Sequence, residues 1–554
     1  MNRPDPIRLG LLLLAVFAAV PAWAQRPADG TAARVADLVP VAGPQQNLVE
    51  NLHAEGDTLW AGPELVYTTD GGASFQLVDE PALAPPQAPN ARVYSIDAEG
   101  EVVWVGLGFR DRSIQGRPQS AAGFAFTTDG GATWAYRFPQ LDQTADTLAV
   151  YGVSVLPALP IIVPQQSPPF DIDYDPVTRD VWVAGWASGI RKLEWLEEEG
   201  TWAEAFERVV LPPDTLRSIR PDQPYAFPLA PERLEIEEGN NFLGFSVLVD
   251  ETGTVWAGTV AGLNRSTPED VFLFEDPETG ETFEERAWRR FDFDGTTNSL
   301  LGDWVISIEE QPLDDPATEE DERNPIWLAT WRAFEADERF GITVTRDGGE
   351  TFEPVLVGER IYDFAFCEPA FGHCPAGAVY AAGTNGLFVS TDDGRTWRSV
   401  RDFRDAERDG RFVRRDVPAY AVAVTERALW VGTGDGLLRS TDGGASWTLF
   451  RADVPVDAPS ADPDALDVEA YAYPNPFSPR ADGIVRIRYD RSDAEAIRIF
   501  DFAMNLVRTI EGPAATEQAW DGADADGVRV ANGVYFYAVE AGGDTLWGKI
   551  LVLE

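Results

Sequence analysis

Side chains that commonly perform acid–base or nucleophilic chemistry are scarce in this sequence, apart from carboxylates. The 554 residues include only two histidines, His53 and His373, and no Gly-x-Ser-x-Gly motif. A serine hydrolase needs a nucleophilic serine and a histidine base that the fold brings together. The composition therefore argues against Ser-His-Asp hydrolysis.

Carboxylates are abundant, with 92 Asp and Glu against 44 Lys and Arg. Two carboxylates about 5–9 Å apart are the acid and base of most glycoside hydrolases. In a chain so rich in acids, sequence spacing cannot single out such a pair, so this chemistry stays open. The acidic run at 314–315 and 319–322 is interpreted as a solvated loop rather than a catalytic dyad.

Arginines gather in three stretches, 107–122, 331–340 and 401–418. Because guanidinium groups bind planar anions in a bidentate manner, these stretches predict a site for carboxylate or sulfate groups. The alternative is that neighbouring acids such as Asp402 and Asp416 neutralise the arginines in loop salt bridges. The predicted ligand-binding residues are Arg110, Arg112, Arg117, Trp331, Arg332, Arg411, Arg414 and Arg415.

The only two cysteines, Cys367 and Cys374, are separated by six residues. In an oxidising compartment this spacing predicts a disulfide that closes one loop. Zinc binding is the alternative, but only His373 lies near. Asp521, Asp524 and Asp526 lack the ligand spacing of an EF-hand and are interpreted as an Asx-rich turn. We predict no metal site and no cofactor.

The elements that would position these residues are marked by an octet with the pattern hydroxyl, any, Asp, any, Gly, any, hydroxyl, aromatic. It occurs at 68–75, 127–134, 345–352, 390–397 and 440–447. Each octet predicts a tight hairpin turn in which the Asp accepts from backbone N–H groups and Gly supplies a positive φ. The predicted structural Asp residues are Asp70, Asp129, Asp347, Asp392 and Asp442.

A second repeat is a strand that ends in an aromatic residue, small or apolar residues and, usually, Gly. It occurs at 59–62, 103–106, 181–185, 255–258, 326–330, 379–383 and 429–432. An alternating strand precedes each copy, and a third strand and the octet follow most of them, so each unit has four strands. Repeated four-stranded units predict a β-propeller, here with seven blades over 46–451, although the third and fourth units lack the octet.

The octet resembles the Asp box, or BNR repeat, of sialidases, sortilin-type receptors, xyloglucanases and photosystem II assembly factors, which are β-propellers. In those families the Asp box is a structural turn, which implies the same role here. The sialidase Phe-Arg-Ile-Pro signature is absent, and no arginine triad with a tyrosine nucleophile can be assigned. Xyloglucanase-like propellers use two Asp residues as acid and base, so a glycoside hydrolase remains an alternative.

The propeller topology also predicts a binding face. The Asp-box turn joins the third and fourth strands of a blade, so it lies at one face of the propeller. Loops that join the second strand to the third, or one blade to the next, lie at the opposite face. The three arginine stretches belong to this opposite face, whereas the cysteine loop and the acidic 309–324 insertion belong to the Asp-box face.

The N-terminus has the pattern of a secretory signal peptide over 1–24, cleaved between Ala24 and Gln25. No other stretch is apolar enough to span a membrane, and residues 25–45 are predicted to be an exposed segment. The formal net charge of −48 argues against nucleic acid and anionic membrane surfaces as partners. We expect a secreted or cell-surface protein that passes through the periplasm.

The C-terminal residues 468–554 follow a Pro-, Ala- and Asp-rich linker at 452–467 and contain about seven short strands, typical of a small β-sandwich. The Tyr-Pro-Asn-Pro-Phe start at 473–477, the Trp-Asp-Gly loop at 520–522, Gly-Val-Tyr-Phe-Tyr at 533–537 and the final apolar strand resemble two families. These are the Ig-like domain of flagellar hook-capping (FlgD-type) proteins and the type A sorting domain of type IX secretion cargo. The resemblance implies export by type IX secretion machinery.

These observations predict an all-β chain in which a seven-bladed β-propeller is followed by a small Ig-like β-sandwich. The predicted function is binding or scaffolding at the cell surface, with a polysaccharide or an envelope protein as partner. Two alternatives remain: an Asp-box glycoside hydrolase of the sialidase or xyloglucanase type, and an envelope sensor or assembly factor that holds another protein. We predict that the protein is not an enzyme.

Overall fold

The computed structural model describes residues 34–36, 38–78, 83, 91–111, 113–114, 117–165, 167–229, 240–275, 280, 282–313, 323–333, 335–408, 410–452, 469–489, 491–514 and 516–554. They form two compact units. The first contains the described residues up to 401 together with 416–437, and the second contains 402–415 and 438–554. The predicted signal peptide and most of the predicted linker lie outside the described residues.

Strands dominate both units, and two short 3-10 turns, Asn240–Phe242 and Pro268–Asp270, interrupt them. No helix in the described part of the chain is long and apolar enough to cross a membrane. The strands form many small antiparallel sheets, as the sequence predicts for an all-β protein.

Six sheets follow one another along the first unit, and four strands form the body of each. Sheet 1 contains Leu52–Glu55, Thr58–Ala61, Val66–Thr68, Phe75–Val78 and Leu38–Val41; sheet 2 contains Arg92–Glu99, Val102–Arg110, Gln119–Thr127, Thr133–Arg137 and Arg34–Val35; sheet 3 contains Pro169–Tyr174, Val181–Gly185, Gly189–Leu193 and Glu207–Arg208. Sheet 4 contains Gly244–Val249, Val255–Thr259, Gly262–Ser266, Trp288–Phe291 and Ser218–Ile219; sheet 5 contains Trp304–Glu310, Ile326–Trp331, Gly341–Thr345 and Glu353–Val357; sheet 6 contains Ile361–Phe366, Val379–Gly383, Gly386–Ser390 and Arg398–Val400. A hairpin of Ala419–Val424 and Leu429–Thr433, termed hairpin 7, completes the unit.

The first strand of each sheet and of hairpin 7 is termed the inner strand. Each inner strand contacts the inner strand of the next repeat, and that of hairpin 7 contacts that of sheet 1. The contacts therefore close into a ring around a central channel. Each small sheet buries its faces against its two neighbours, which is the construction of a β-propeller.

Aromatic pairs join neighbouring sheets away from the channel. In three Asp boxes, the aromatic residue at the end packs edge-on against the Trp in the second strand of the preceding repeat. Ring centroids lie 6.2 Å apart for Trp134 on Trp60, 6.2 Å for Trp397 on Trp327 and 6.3 Å for Phe75 on Trp430. Edge-on pairs of this kind contribute about 0.5–1.5 kcal/mol beyond the burial of their area.

The Asp-box turn has the hydrogen bonds that the sequence predicts. In the first copy, Asp70 accepts from the backbone N–H of Ser74 at 2.9 Å and from its hydroxyl at 2.6 Å. The Thr68 hydroxyl donates to Asp70 and accepts from the N–H of Gly72, which has a φ of 83°. The hydrogen bonds from Ser74 lower the pKa of Asp70 to about 2. The same pattern recurs at Asp129, Asp347, Asp392 and Asp442.

Sheets 3 and 4, which lack an Asp box, have a two-stranded hairpin before their fourth strand. These hairpins are Trp195–Leu196 with Thr201–Trp202, and Val271–Glu275 with Thr282–Arg286. A further hairpin, Leu148–Tyr151 with Ser154–Pro157, lies between sheets 2 and 3 in the chain. The N-terminal segment, expected to be exposed, contributes Arg34–Val35 to sheet 2 and Leu38–Val41 to sheet 1.

The cysteine loop joins the first and second strands of sheet 6. Cys367 and Cys374 form a disulfide with their Cα atoms 6.1 Å apart. His373 within this loop has its Nε2 atom 2.9 Å from the carbonyl oxygen of Thr425. The loop therefore lies at the C-terminal end of its inner strand.

The second unit contains two antiparallel sheets that share one apolar core, which includes Phe477, Ile487, Trp520, Tyr537 and Ile550. One sheet contains Tyr471–Tyr473, Val485–Arg488 and Glu517–Trp520; the other contains Leu506–Glu511, Ala494–Phe500, Gly533–Ala541 and Asp544–Val552. The hairpin Phe403–Arg404 with Phe412–Val413 also belongs to this unit. The strands Gly436–Ser440 and Thr448–Phe450 flank the last Asp box.

A buried ion pair ties this hairpin to the C-terminal sheets. Arg451 donates to Glu517 at 2.9 Å, and both side chains are fully buried. Arg451 also donates to the carbonyl oxygen of Phe412, while the Tyr473 hydroxyl donates to Glu517 at 2.7 Å. The sequence predicts a boundary at the linker, yet residues before and after the linker belong to one compact unit.

Candidate binding site

Six of the seven inner strands carry a β-bulge at the same place, near the residue where the strand begins. The register shift skips one residue in each strand: Tyr94, Phe170, Phe245, Ile306, Tyr362 and Tyr420. A regular strand sends neighbouring side chains to opposite faces, whereas a bulge turns two successive side chains towards one side. Accordingly Tyr94 with Ser95, and Phe170 with Asp171, line the same cavity.

The cavity lies at the mouth of the channel and has a volume of about 150 Å³. The inner strands of sheets 1, 2, 3, 5 and 6 and of hairpin 7 contribute to it. Its walls contain the aromatic residues Tyr94, Phe170, Tyr362 and Tyr420 and the carboxylates Glu50, Asp171, Glu309 and Asp363. The described lining includes His53 but neither Lys nor Arg.

Four carboxylates of the inner strands each accept a hydrogen bond from a backbone N–H of the next inner strand. The donors are Val247 for Asp171 at 3.0 Å, Val249 for Asp173 at 3.0 Å, Val422 for Asp363 at 2.8 Å and Tyr174 for Asp97 at 2.6 Å. Asn51, Ser95 and Ser246 donate instead to a carbonyl oxygen of the next inner strand. These side chains act as latches between adjacent sheets.

Glu309 differs from Asp171 and Asp363, the other inner-strand carboxylates that line the cavity. No other residue of the described part donates a hydrogen bond to it, and it faces the cavity. Burial, together with the negative charges of Asp363 and Asp171, raises the pKa of Glu309 well above its usual range. Burial also raises the pKa of Asp171 and of Asp363 to about 7.

These acids are not grouped as metal ligands. Within the described ranges, no three Asp, Glu, His or Cys side chains are placed to share one metal ion. His53 lies beside the carboxylates, with Nδ1 3.7 Å from Asp97 and Nε2 within hydrogen-bonding distance of the backbone of Ala98. Its position ties sheet 1 to sheet 2.

Further aromatic residues extend outward from the cavity. Trp331 packs edge-on against Tyr362 with ring centroids 5.4 Å apart, and its N–H donates to the carbonyl oxygen of Ile361 at 2.8 Å. Tyr362 in turn contacts Tyr420, with centroids 5.3 Å apart. The Arg360 guanidinium group lies 5.6 Å from the Trp331 ring. An aromatic surface therefore surrounds this part of the cavity.

The cavity lies at the end of the propeller away from the Asp boxes. The bulges lie near the first residue of each inner strand. The third strand of a sheet runs in the same direction as the inner strand, because both are antiparallel to the second strand. The Asp-box turn at the end of the third strand is therefore at the opposite end, so the cavity lies at the face for which the topology predicts binding.

No protein-family model matches the sequence, and no curated protein matches it. Among solved structures, the chain is similar to PorZ, described as an essential bacterial surface component of the type IX secretion system of Porphyromonas gingivalis. The TM-score is 0.40 at 16% identity, over 91% of this chain and 66% of PorZ. It is also similar to the RRP9 WD40 repeats, with a TM-score of 0.36 at 7% identity over 73% of this chain and 93% of that one. The third similar structure is the β-propeller domain of Cps50 (Swd1) from Myceliophteria thermophila. Its TM-score is 0.37 at 9% sequence identity, over 76% of this chain and 100% of that one.

Two of the residues predicted to bind a ligand lie beside the cavity. Trp331 packs on Tyr362, as described above, and Arg110 ends the second strand of sheet 2. Burial raises the pKa of Tyr94, and the nearby positive charge of Arg110 counteracts this rise. Arg117 and Arg332 are exposed in loops, and Arg112 lies outside the described residues.

The other predicted residues, Arg411, Arg414 and Arg415, belong to the second unit. Arg411 is buried, and Arg415 donates to Asp402 at 3.0 Å. Arg404 also pairs with Asp402, at 3.3 Å. This pairing matches the alternative of loop neutralisation. An anion site formed by the three arginine stretches stays a prediction.

Sequence reasoning missed the residues that line the cavity. The available signal was the polar residue that interrupts an otherwise apolar inner strand, as in Asp171-Ile172-Asp173. The Trp of the second strand fixes the register, because Trp182 lies opposite Asp173 and Trp327 opposite Glu309. The bulges carry no comparable signal, since any of several residue types fits them.

Proposed function

We propose that this chain is a secreted or cell-surface binding protein, a seven-bladed β-propeller whose ligand site is the cavity at the channel mouth. The observation that supports the proposal is that six of the seven inner strands carry a β-bulge at the same place. Bulges interrupt sheet pairing and redirect side chains, and they are common next to functional sites. Five of the six bulged residues line one cavity, and four of these are aromatic. A concave aromatic surface with a few converging polar groups is the usual form of a ligand site.

The carboxylates support binding rather than catalysis. A general acid and base must be free to exchange protons with a substrate. Asp171 and Asp363 are each engaged by two backbone N–H groups, one from the next inner strand and one from the following residue of their own strand. Their positions are explained by the assembly of the ring.

One observation favours the alternative of a glycoside hydrolase. Glu309 has no hydrogen-bond partner among the described residues, and burial raises its pKa well above the usual range, the direction that a general acid requires. In this alternative, Asp171 or Asp363 would act as the base or nucleophile. An envelope sensor that holds another protein would use the same aromatic mouth for a peptide segment.

Binding assays on the full chain test the proposal. We expect a soluble ligand, identified from panels of envelope polysaccharide fragments and peptides, to bind the wild type and to bind Tyr362→Leu at least about fivefold more weakly, because an aromatic face is lost. Glu309→Gln should leave the ligand chemically unchanged in long incubations, as the wild type does. Cleavage by the wild type that Glu309→Gln abolishes would favour the hydrolase instead.

We also propose that residues 468–554 are an Ig-like sorting domain that directs export by type IX secretion machinery, as their sequence resemblance implies. A chain that ends at residue 452 should stay inside the producing cell, whereas the full chain reaches the surface or the medium. Fractionation measures the difference. Glu517→Ala is the control, because it weakens the same unit without removing the sorting residues. Normal release of the truncated chain would contradict the export role.

A further inference from the structure

We propose that the cavity at the channel mouth binds an organic cation, an ammonium or guanidinium group carried on a slender aliphatic chain. This inference rests on the proposed binding function and names the chemical class of its ligand. It follows from the charge of the cavity, from its hydrogen-bonding capacity and from the aromatic residues that the bulges place at its entrance.

The charge of the lining favours a cation. Glu50, Asp171, Glu309 and Asp363 contribute carboxylates, and no Lys or Arg is present in the described lining. When no cation is bound, burial and mutual repulsion disfavour the ionised form of Asp171, Glu309 and Asp363. A cation relieves this repulsion and replaces the water that the carboxylates lose.

The hydrogen-bonding capacity of the cavity points the same way. A carboxylate has about four acceptor positions. Two backbone N–H groups occupy two of these positions on Asp171 and on Asp363, and Glu309 has no donor in the described part of the chain. Ammonium and guanidinium groups are donors only, so they match a site rich in acceptors. A neutral sugar also needs donors, and this lining offers few.

The aromatic entrance complements a cationic head with an aliphatic stem. Tyr94, Phe170, Tyr362 and Tyr420 lie on four different inner strands around the mouth, with the carboxylates of Asp171, Glu309 and Asp363 lining the same cavity. Aromatic faces attract ammonium and guanidinium groups by about 0.5–2 kcal/mol. They also exclude water from the methylene groups of the stem. A metal ion would use none of this aromatic surface, and the described acids are not grouped to share one.

Isothermal titration of the full-length protein with n-butylammonium and n-butylguanidinium tests the inference. We expect saturable binding of at least one cation and none of 1-butanol, which has the same stem without the charge. Glu309→Gln should weaken binding about tenfold, because it removes a carboxylate whose ionised form a bound cation stabilises, and it disturbs no internal hydrogen bond. Tyr362→Leu should weaken it about fivefold or more.

Two matched variants control for indirect effects. Glu310→Gln changes the neighbouring acid, which does not line the cavity and accepts from the N–H of Glu251. Phe245→Leu changes the bulged residue that does not line the cavity. Both should bind the cation within about twofold of the wild type. Circular dichroism and melting curves confirm that every variant is folded before its affinity is compared.

The possible results separate the two proposals. Binding of a neutral oligosaccharide that Tyr362→Leu weakens, with no binding of either cation, would overturn the cation inference and leave the proposed function intact. Cation binding that Glu309→Gln and Tyr362→Leu do not change would place the cation elsewhere and overturn the inference. A natural ligand whose affinity no cavity variant alters would refute the proposed site itself.

Discussion

The carboxylate of Asp363 accepts a hydrogen bond of 2.8 Å from the backbone N–H of Val422, in the inner strand of the next repeat. The two residues are far apart in the sequence, yet this bond joins sheet 6 to hairpin 7 at the wall of the channel. Asp171 makes the equivalent bond to Val247, between sheets 3 and 4. Two carboxylates of the candidate site, Asp171 and Asp363, therefore also hold the ring together.

Removing one latch should destabilise the propeller. Asp363→Ala leaves the N–H groups of Val422 and Phe364 without their acceptor, so we expect a loss of about 1–3 kcal/mol in the free energy of unfolding. Asp363→Asn keeps an acceptor and should lose less. Urea unfolding of both variants measures the difference. Equal stability of the Ala variant and the wild type would show that the latch contributes nothing.

The buried acids should make the propeller more stable as the pH falls from 8 to about 5.5. The pKa of Asp171 and Asp363 is about 7 in the folded protein but about 4 in an unfolded chain. Between these values the folded state binds more protons, so its stability decreases as the pH rises and increases as the pH falls. Melting temperatures across this range test the expectation.

The double variant Asp171→Asn with Asp363→Asn supplies the control for this pH dependence. The amides do not titrate, so the part of the slope that belongs to Asp171 and Asp363 should disappear. The Asp boxes do not interfere, because the pKa of Asp70 is about 2 and its carboxylate stays ionised throughout this range. An unchanged slope in the double variant would assign the effect to acids elsewhere.

Asp-box carboxylates should affect stability and not ligand binding. Asp129→Ala removes the acceptor for the N–H and hydroxyl groups of Thr133. Because these groups are exposed to water, we expect a modest loss of about 1 kcal/mol, similar to the loss of a helix N-cap. Ligand affinity at 20 °C, measured on folded protein, should not change. A variant with an unaltered melting temperature and abolished binding would refute the structural role.

In the second unit, Glu517→Ala should release the hairpin at 403–413. The change leaves buried Arg451 without its counter-charge, which typically costs about 3–5 kcal/mol. Hydrogen exchange of peptides from 402–415 should then accelerate, because Arg451 no longer holds the carbonyl oxygen of Phe412. Glu495→Gln, an exposed acid of the same unit, is the control. Unchanged exchange in the Ala variant would mean that the hairpin is held by other contacts.

The repeat architecture could be predicted from the sequence because its signals are local. The Asp-box hydrogen bonds, for example from Ser74 to Asp70, span only four residues. The strand alternation and the Trp of each second strand likewise lie within one repeat. The all-β class and the order of the strands follow from such short-range patterns.

The site and the unit boundary were decided only by tertiary structure. The cavity joins residues as distant in the sequence as Glu50 and Tyr420. Whether an inner-strand acid is hydrogen-bonded to the next sheet depends on which backbone N–H that sheet places beside it. Asp363 meets the N–H of Val422, whereas Glu309 meets no donor in the described chain, although both lie on apolar strands. Likewise, the pairing of Arg451 with Glu517 crosses the predicted linker. Burial and hydrogen bonding of a charged side chain depend on its neighbours in space, and one strand's sequence does not specify them.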